Sequence, residues 1–154
     1  MRRRNFMLAS ILAGTALGAA RAGTNAQSSA GSSAVIDRFF AAYSSRRLEA
    51  CMDCFSSSGD VFAYGSARGE KRIGLEAIRL QLEQDWAQSQ DTQLRVSWRK
   101  VDEAGVVSWI AADVIGNTKI SGNEMEIEAR ATFVLRREGS DWKIVQMHFS
   151  LPNE

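Results

Sequence analysis

The chain has 154 residues, of which 45% are hydrophobic and 24% are charged. These proportions are typical of one globular domain and exclude a disordered or fibrous chain. The first 22 residues hold four arginines and no acidic residue, so the remaining chain carries a formal net charge of −3. A mildly acidic domain lacks the clustered cations that sequence-independent nucleic-acid binding requires, so we expect no nucleic-acid partner.

The chain begins with a pattern typical of an export signal. Arg2, Arg3 and Arg4 precede a short apolar stretch, and Ala20-Arg21-Ala22 provides a small-residue cleavage site. We therefore predict a signal peptide over residues 1–22 and an exported protein, periplasmic or secreted, by the general or the twin-arginine route. The apolar stretch is too short to span a bilayer, so we expect no stable membrane insertion after the signal is removed.

A linker and three helices are predicted next. Residues 23–33 are small and polar, which predicts a flexible linker before a folded domain over residues 34–154. Apolar residues at helical spacing indicate one helix over residues 34–43 and a short one over 46–55, and an amphipathic pattern indicates a third over 75–86.

Five strands complete the predicted elements. A short strand over residues 60–65 precedes the third helix, and four longer strands follow it. Gly105, Gly122 and Gly139 mark the turns between these longer strands. Helices followed by four consecutive antiparallel strands predict an α+β fold.

Four motifs point to a known family. They are Gly59-Asp60, residues 74–78, Arg130-x-Thr132 and Trp142-x-Ile144-Val145-x-x-His148-x-Ser150-x-Pro152. Together they resemble motifs of SnoaL-like proteins in the nuclear transport factor 2-like superfamily. The resemblance covers residues 34–151 and implies a cone: three helices on a strongly curved, mostly antiparallel sheet with an internal pocket. The end of the chain also resembles the association domain of calcium/calmodulin-dependent protein kinase.

His148, the single histidine, is the first candidate for chemistry. Strict alternation along the last strand places it on the same face as Trp142, Ile144 and Ser150. If that face lines the cone, the imidazole points into the pocket and can transfer a proton near neutral pH. The alternative is a structural histidine, hydrogen-bonded near the end of the sheet.

Arg130 is the second candidate, because its planar guanidinium suits a carboxylate or another planar anion. A two- or four-residue turn would pair residue 131 with His148. A three-residue loop or one bulge would pair Arg130 with His148 directly. An internal salt bridge to a nearby carboxylate is the alternative role.

Two carboxylates and three aromatic side chains complete the predicted site. Asp60 and Tyr64 share one face of the first strand, and Asp60 is a second candidate for a general base. Asp113 is a further pocket carboxylate, with turn capping or an ion pair as the alternative role of both acids. Trp86 and Trp98 are expected at the pocket wall.

The cysteines and the missing motifs restrict the chemistry further. Cys51 and Cys54 have the spacing of a redox pair, but they lie near the end of the predicted second helix, so we expect buried core thiols. One histidine and two cysteines do not make a zinc site. The sequence contains no glycine-rich phosphate loop. We expect neither a metal nor a cofactor.

Three functions remain open. The first is binding of a small, partly apolar molecule, anionic if Arg130 and His148 are its polar anchors. The second is a cofactor-free isomerase, cyclase or hydrolase, with His148 or Asp60 as general base and Arg130 stabilising negative charge. The third is an oligomerisation domain without a ligand.

The resemblance also implies a homodimer through the outer face of the sheet. Four apolar residues of the third long strand share one face, which such a dimer would cover. They are Met125, Ile127, Phe133 and Leu135.

Overall fold

The computed structural model describes residues 20–152, with side chains from residue 31 onwards. The predicted signal peptide therefore lies almost entirely outside the described residues. The chain forms α1 (Ala20–Ser44), α2 (Leu48–Met52), β1 (Phe62–Tyr64), β2 (Lys71–Ile73), α3 (Leu75–Gln88), β3 (Gln90–Ala104), β4 (Val107–Ile120), β5 (Asn123–Glu138) and β6 (Asp141–Ser150).

The strands form one curved six-stranded sheet in the order β2-β1-β6-β5-β4-β3. The β1–β6 pair is parallel, and all other neighbouring pairs are antiparallel. Three helices pack against the inner face, so the predicted α+β cone is confirmed. β2 was not predicted, because three residues that form a strand only beside β1 show no periodicity of their own.

Two-residue turns join the four long strands, and the three glycines that predicted these turns lie in them. At the β4–β5 turn both central residues have positive φ, 52° at Ser121 and 84° at Gly122. That combination matches the right-handed twist of the flanking strands. The turns set the register in which neighbouring strands begin to pair, and three shifts of register follow further along β3 and β6.

Two β-bulges decide which side chains face the helices. Ser97 of β3 has no partner in β4, and Val145 of β6 has none in β5. Each extra residue shifts the alternation by one, so side chains beyond it point to the face opposite to the one that strict alternation predicts.

The core lies between the inner face of the sheet and the three helices. Phe133 and Leu135 of β5 belong to it and are 1% and 0% exposed. Met125 and Ile127 continue the same inner face beyond the core. The prediction that these four residues form an outer apolar face is therefore wrong. Phe133 and Leu135 face the helices, Ile127 lines the cavity, and Met125, on the same face, is 50% exposed.

The folded domain begins before residue 34. Ser32 is fully buried, and Ser108 donates a hydrogen bond of 3.0 Å to its hydroxyl oxygen. Arg99 donates to the carbonyl of Ser33 at 3.3 Å. Residues 31–33, predicted as linker, are thus packed on the sheet. Among the described residues, no helix is long and apolar enough to cross a membrane.

We predict that Gly116→Ala destabilises the fold by about 1–3 kcal/mol, in the range of overpacked cores. A Cβ at residue 116 of β4 would overlap the carbonyl oxygen of Gln93 in β3, and backbone atoms cannot move aside without disturbing the strand pair. Urea denaturation would measure the free energy of unfolding. Asn117→Ala, at the exposed neighbouring position, is the control and should stay within about 0.5 kcal/mol of the unaltered protein. Equal stability of the two variants would contradict the prediction.

Candidate functional site

A cavity of about 270 Å³ lies between α1, α3 and the inner face of the sheet. A larger groove of about 540 Å³ crosses β3, β4 and β5 but is more open to solvent. The wall of the cavity is mostly apolar, which is typical of a site for a small molecule. Its apolar residues include Phe39, Phe40, Tyr43, Ile78, Leu82, Leu94, Ile127, Met147 and Phe149.

The helix side of the cavity carries a polar cluster of three side chains. Gln81 and Asp85 lie one turn apart on α3, and the side-chain amide of Gln81 donates to Asp85 Oδ1 at 2.6 Å. The hydroxyl of Tyr43, from the last turns of α1, donates to Asp85 Oδ2 at 3.4 Å. The ring of Trp86 packs at 5.6 Å from that of Tyr43 and holds it in place. The two helices thus position one carboxyl group at the cavity.

Burial changes the acid–base behaviour of this cluster. It raises the pKa of the Asp85 carboxyl above its ordinary value, against the lowering effect of the hydrogen bond from Gln81. Burial also raises the pKa of Tyr43, and the nearby Asp85 charge adds to that shift, so the phenol stays protonated and acts as a donor. A carboxyl of raised pKa beside a fixed donor can exchange a proton with a bound molecule.

The sheet side of the cavity carries a chain of hydroxyl groups. Thr92 and Thr118 share a hydrogen bond of 2.6 Å, and Thr92 donates to the hydroxyl of Ser89 at 3.1 Å. An irregularity of β3 between Gln90 and Gln93 brings Thr92 inward beside Thr118. All three hydroxyl residues line the cavity and can bind an oxygen-containing ligand.

His148 lies on the outer face of the sheet rather than at the cavity. The bulge at Val145 brings Met147 and Phe149 to the cavity wall in its place. His148 is exposed, lies opposite Thr132 in β5, and packs its ring at 6.1 Å from that of Tyr64. The prediction that His148 faces the pocket is wrong, because strict alternation does not anticipate a bulge.

Three other predicted pocket residues also lie on the outer face. Arg130 lies opposite Ser150 and Asp113, so neither predicted pairing with His148 occurs. Asp113 lies opposite Trp98, which the bulge at Ser97 turns outward and leaves 55% exposed. The structure therefore brings Arg130, Asp113 and Trp98 together, but outside the cavity.

The remaining predicted residues lie at the margins of the cavity. Tyr64 is one of its lining residues, although its ring points toward His148. Trp86 supports Tyr43 from behind, and its ring nitrogen is buried without a hydrogen-bond partner in the described part of the chain. Asp60 is exposed just before β1 and does not line the cavity.

Sequence reasoning missed Tyr43, Gln81 and Asp85, although the sequence contains a sign of them. Gln81 and Asp85 fall on the same helical face of α3 as the buried residues Ile78 and Leu82. Polar residues within an apolar stripe predict either a buried network or a ligand site.

The cysteines and possible metal ligands add no further site. Cys51 and Cys54 are free and buried, and burial raises the pKa of the Cys51 thiol to about 12, which leaves it unreactive. Within residues 31–152 no group of three or more His, Cys, Asp or Glu side chains is placed to hold a metal ion.

Solved structures with this fold carry different names. A nuclear transport factor 2-like protein from Pseudomonas putida is 17% identical, with 84% of this chain and 89% of that chain covered and a TM-score of 0.70. A ketosteroid isomerase-like protein from Erwinia carotovora is 13% identical (83% and 98% covered, TM-score 0.72). A protein provisionally named scytalone dehydratase, from Novosphingobium aromaticivorans, is 12% identical (86% and 89% covered, TM-score 0.77). At these identities the likeness shows the fold alone.

The family is shown by sequence. The chain matches no curated protein. The sequence profile of the SnoaL-like domain, however, matches residues 33–154, which is nearly the whole described domain. Together with the cone of three helices on a curved sheet, this match establishes that the chain belongs to the SnoaL-like domain family.

Proposed function

We propose that this protein binds a small, largely apolar molecule in the cavity, with Asp85 and Tyr43 as its polar anchors. The observation that carries the proposal is the hydrogen-bonded cluster of Tyr43, Gln81 and Asp85 in a mostly apolar wall. Few polar groups in an apolar cavity are what orient a small ligand. The anchors differ from Arg130 and His148, which lie on the other face of the sheet.

The cluster is poorly explained by stability alone. A carboxyl on the buried stripe of α3 loses hydration, and its hydrogen bonds offset that cost only in part. An apolar side chain at residue 85 would extend the stripe of Ile78 and Leu82 without this penalty. A role in recognition accounts for a polar group at this position.

Proton transfer without a cofactor is the second candidate function, and the raised pKa of Asp85 favours it. A general base works best when its pKa lies near the working pH. Asp85 would take the role that the sequence suggested for His148 or Asp60, and Tyr43 would donate to a developing oxyanion. Similar folds named ketosteroid isomerase-like and, provisionally, dehydratase support an isomerase or dehydratase over a hydrolase.

We also propose a homodimer through the outer face of the sheet. Phe62, Tyr64, Trp98 and Trp109 expose large aromatic side chains on this face. The same face carries acids and bases, among them Asp113 and Arg130, so two copies related by a twofold axis can pair unlike charges. This surface replaces the β5 residues that the sequence suggested.

A thermal-shift screen of small apolar compounds tests the cavity. A compound at a hundred times its dissociation constant should stabilise the protein by about 2.7 kcal/mol. Met147→Trp, which places a bulky indole ring in the cavity where the thioether was, should abolish the shift. His148→Ala and Arg130→Ala, on the opposite face, should keep it. A shift lost in the outer-face variants, or none from any compound, would overturn the proposal and favour an oligomerisation domain.

We predict that Asp85 makes the protein less stable as the pH rises. Its pKa is higher folded than unfolded, so between the two values the folded state keeps a proton that the unfolded state has released. The free energy of unfolding should therefore fall as the pH rises from about 3.9, the ordinary aspartate value, through the raised folded value, and the penalty should stay constant above it.

Urea denaturation across this pH range, in the unaltered protein and in Asp85→Asn, would measure the difference. The unaltered protein should lose stability relative to Asp85→Asn as the pH rises. Glu83→Gln, at an exposed position of the same helix, keeps Asp85 and should lose stability with rising pH as the unaltered protein does. If the difference in the free energy of unfolding between Asp85→Asn and the unaltered protein did not vary with pH, the pKa of Asp85 would not be raised.

We predict that Trp109→Glu converts the dimer to a monomer. The interface would have to bury two unpaired carboxylates, one from each copy. Light scattering after size-exclusion chromatography would give the mass. Leu80→Glu on α3, where Leu80 is 48% exposed against 46% for Trp109, is the matched control and should remain dimeric. A monomeric unaltered protein, or a dimeric Trp109→Glu variant, would refute the proposed interface.

A further inference from the structure

We infer that the cavity selects a cationic ligand: a small amine whose ammonium group binds the carboxylate of Asp85 while its apolar part contacts the aromatic wall. The inference rests on the ligand-binding function proposed above for the same cavity. It names the charge of the ligand, which the cavity volume and the family leave undetermined.

Asp85 has hydrogen-bond donors but no cation. Gln81 and Tyr43 each donate to one of its carboxylate oxygens, as suits the ionised form, which only accepts. None of the ion pairs within residues 31–152 includes Asp85. A half-buried carboxylate without a counter-charge binds a cation favourably, since part of its hydration is already lost.

The cation that lines the cavity is directed elsewhere. Nη1 of Arg72 donates to the carbonyls of Gly69 at 2.9 Å and Lys71 at 3.3 Å, which holds the guanidinium at the β1–β2 connection. Arg72 lowers the pKa of Asp85 only as a distant charge, and Glu70 opposes it. The counter-charge position beside Asp85 is therefore left to a ligand.

The side chains that line the cavity carry more negative than positive charge. Asp85 and Glu70 line it with two negative charges against the single positive charge of Arg72. An ammonium group carries several donors and a positive charge, so it suits the carboxylate of Asp85. A carboxylate ligand would meet repulsion instead.

The walls suit the apolar part of such a ligand and its charge. Phe39, Phe40, Tyr43 and Phe149 line the cavity with aromatic rings. The faces of aromatic rings attract cations, most strongly where water is excluded. Aromatic rings beside the half-buried carboxylate of Asp85 therefore form a better site for an amine than for a neutral molecule of the same shape.

Calorimetric titration of the full chain tests the inference with three probes that share a phenyl ring and a similar size but differ in charge: benzylamine, benzyl alcohol and benzoate. At neutral pH benzylamine should bind about tenfold or more tighter than benzyl alcohol, as a charge-assisted hydrogen bond implies, and benzoate weakest. Asp85→Asn should reduce benzylamine to the affinity of benzyl alcohol. Glu83→Gln, which changes an exposed carboxylate of the same helix, should leave the preference unchanged.

A pH series on the unaltered protein keeps the test independent of how well Asp85→Asn folds. Lowering the pH neutralises Asp85, so benzylamine should weaken while benzyl alcohol stays constant. Glu70, Arg72, Tyr43 and Tyr64 are the other ionisable groups that line the cavity. Equal affinity of benzylamine and benzyl alcohol, or tightest binding of benzoate, would overturn the cation preference and leave the binding function standing. Binding of none of the three probes would overturn both.

Discussion

The unpaired residue Val145 in β6 determines what each face of the sheet can do. Before it, Ile144 points toward the helices; after it, Met147 and Phe149 take that direction. The bulge adds one residue to β6 that has no partner in β5. As a result the thioether of Met147 and the phenyl ring of Phe149, rather than the imidazole of His148, lie at the cavity. The inner face becomes an apolar wall, and the outer face receives His148 beside exposed aromatic rings.

With β6 contributing only apolar groups, the carboxyl group at the helix side of the cavity is held by the ends of two helices. Tyr43 near the end of α1 and Asp85 near the end of α3 meet where no strand residue competes for their hydrogen bonds. The desolvation of Asp85 opposes folding, while the packing of Tyr43 on Trp86 stabilises the same region. The carboxyl of Asp85 thus lowers the stability of the fold at a position where it can contact a ligand.

Features that repeat along many residues could be predicted from the sequence. The helices, the four long strands and their turns follow from periodic apolar spacing and from glycines between the strands. A β-bulge depends on the partner strand and on the core behind it, which the sequence of one strand does not show. Strict alternation therefore placed His148 and Trp98 on the wrong face. Asp85 was within reach of the sequence, since it interrupts the apolar stripe of α3. The separation of Arg130 from the cavity was also within reach, because alternation along β5 places Arg130 on the face opposite to the buried side chains of Phe133 and Leu135.

The hydroxyl chain of Ser89, Thr92 and Thr118 gives the cavity a second property. The hydroxyl chain ends within the protein, because the hydroxyl of Ser89 donates to the backbone carbonyl of Asp85 at 2.7 Å. The hydroxyl protons of Ser89 and Thr92 are therefore already used, and what these groups still offer is the lone pairs of their oxygens. The sheet wall and the carboxylate of Asp85 thus both present hydrogen-bond acceptors to the interior of the cavity.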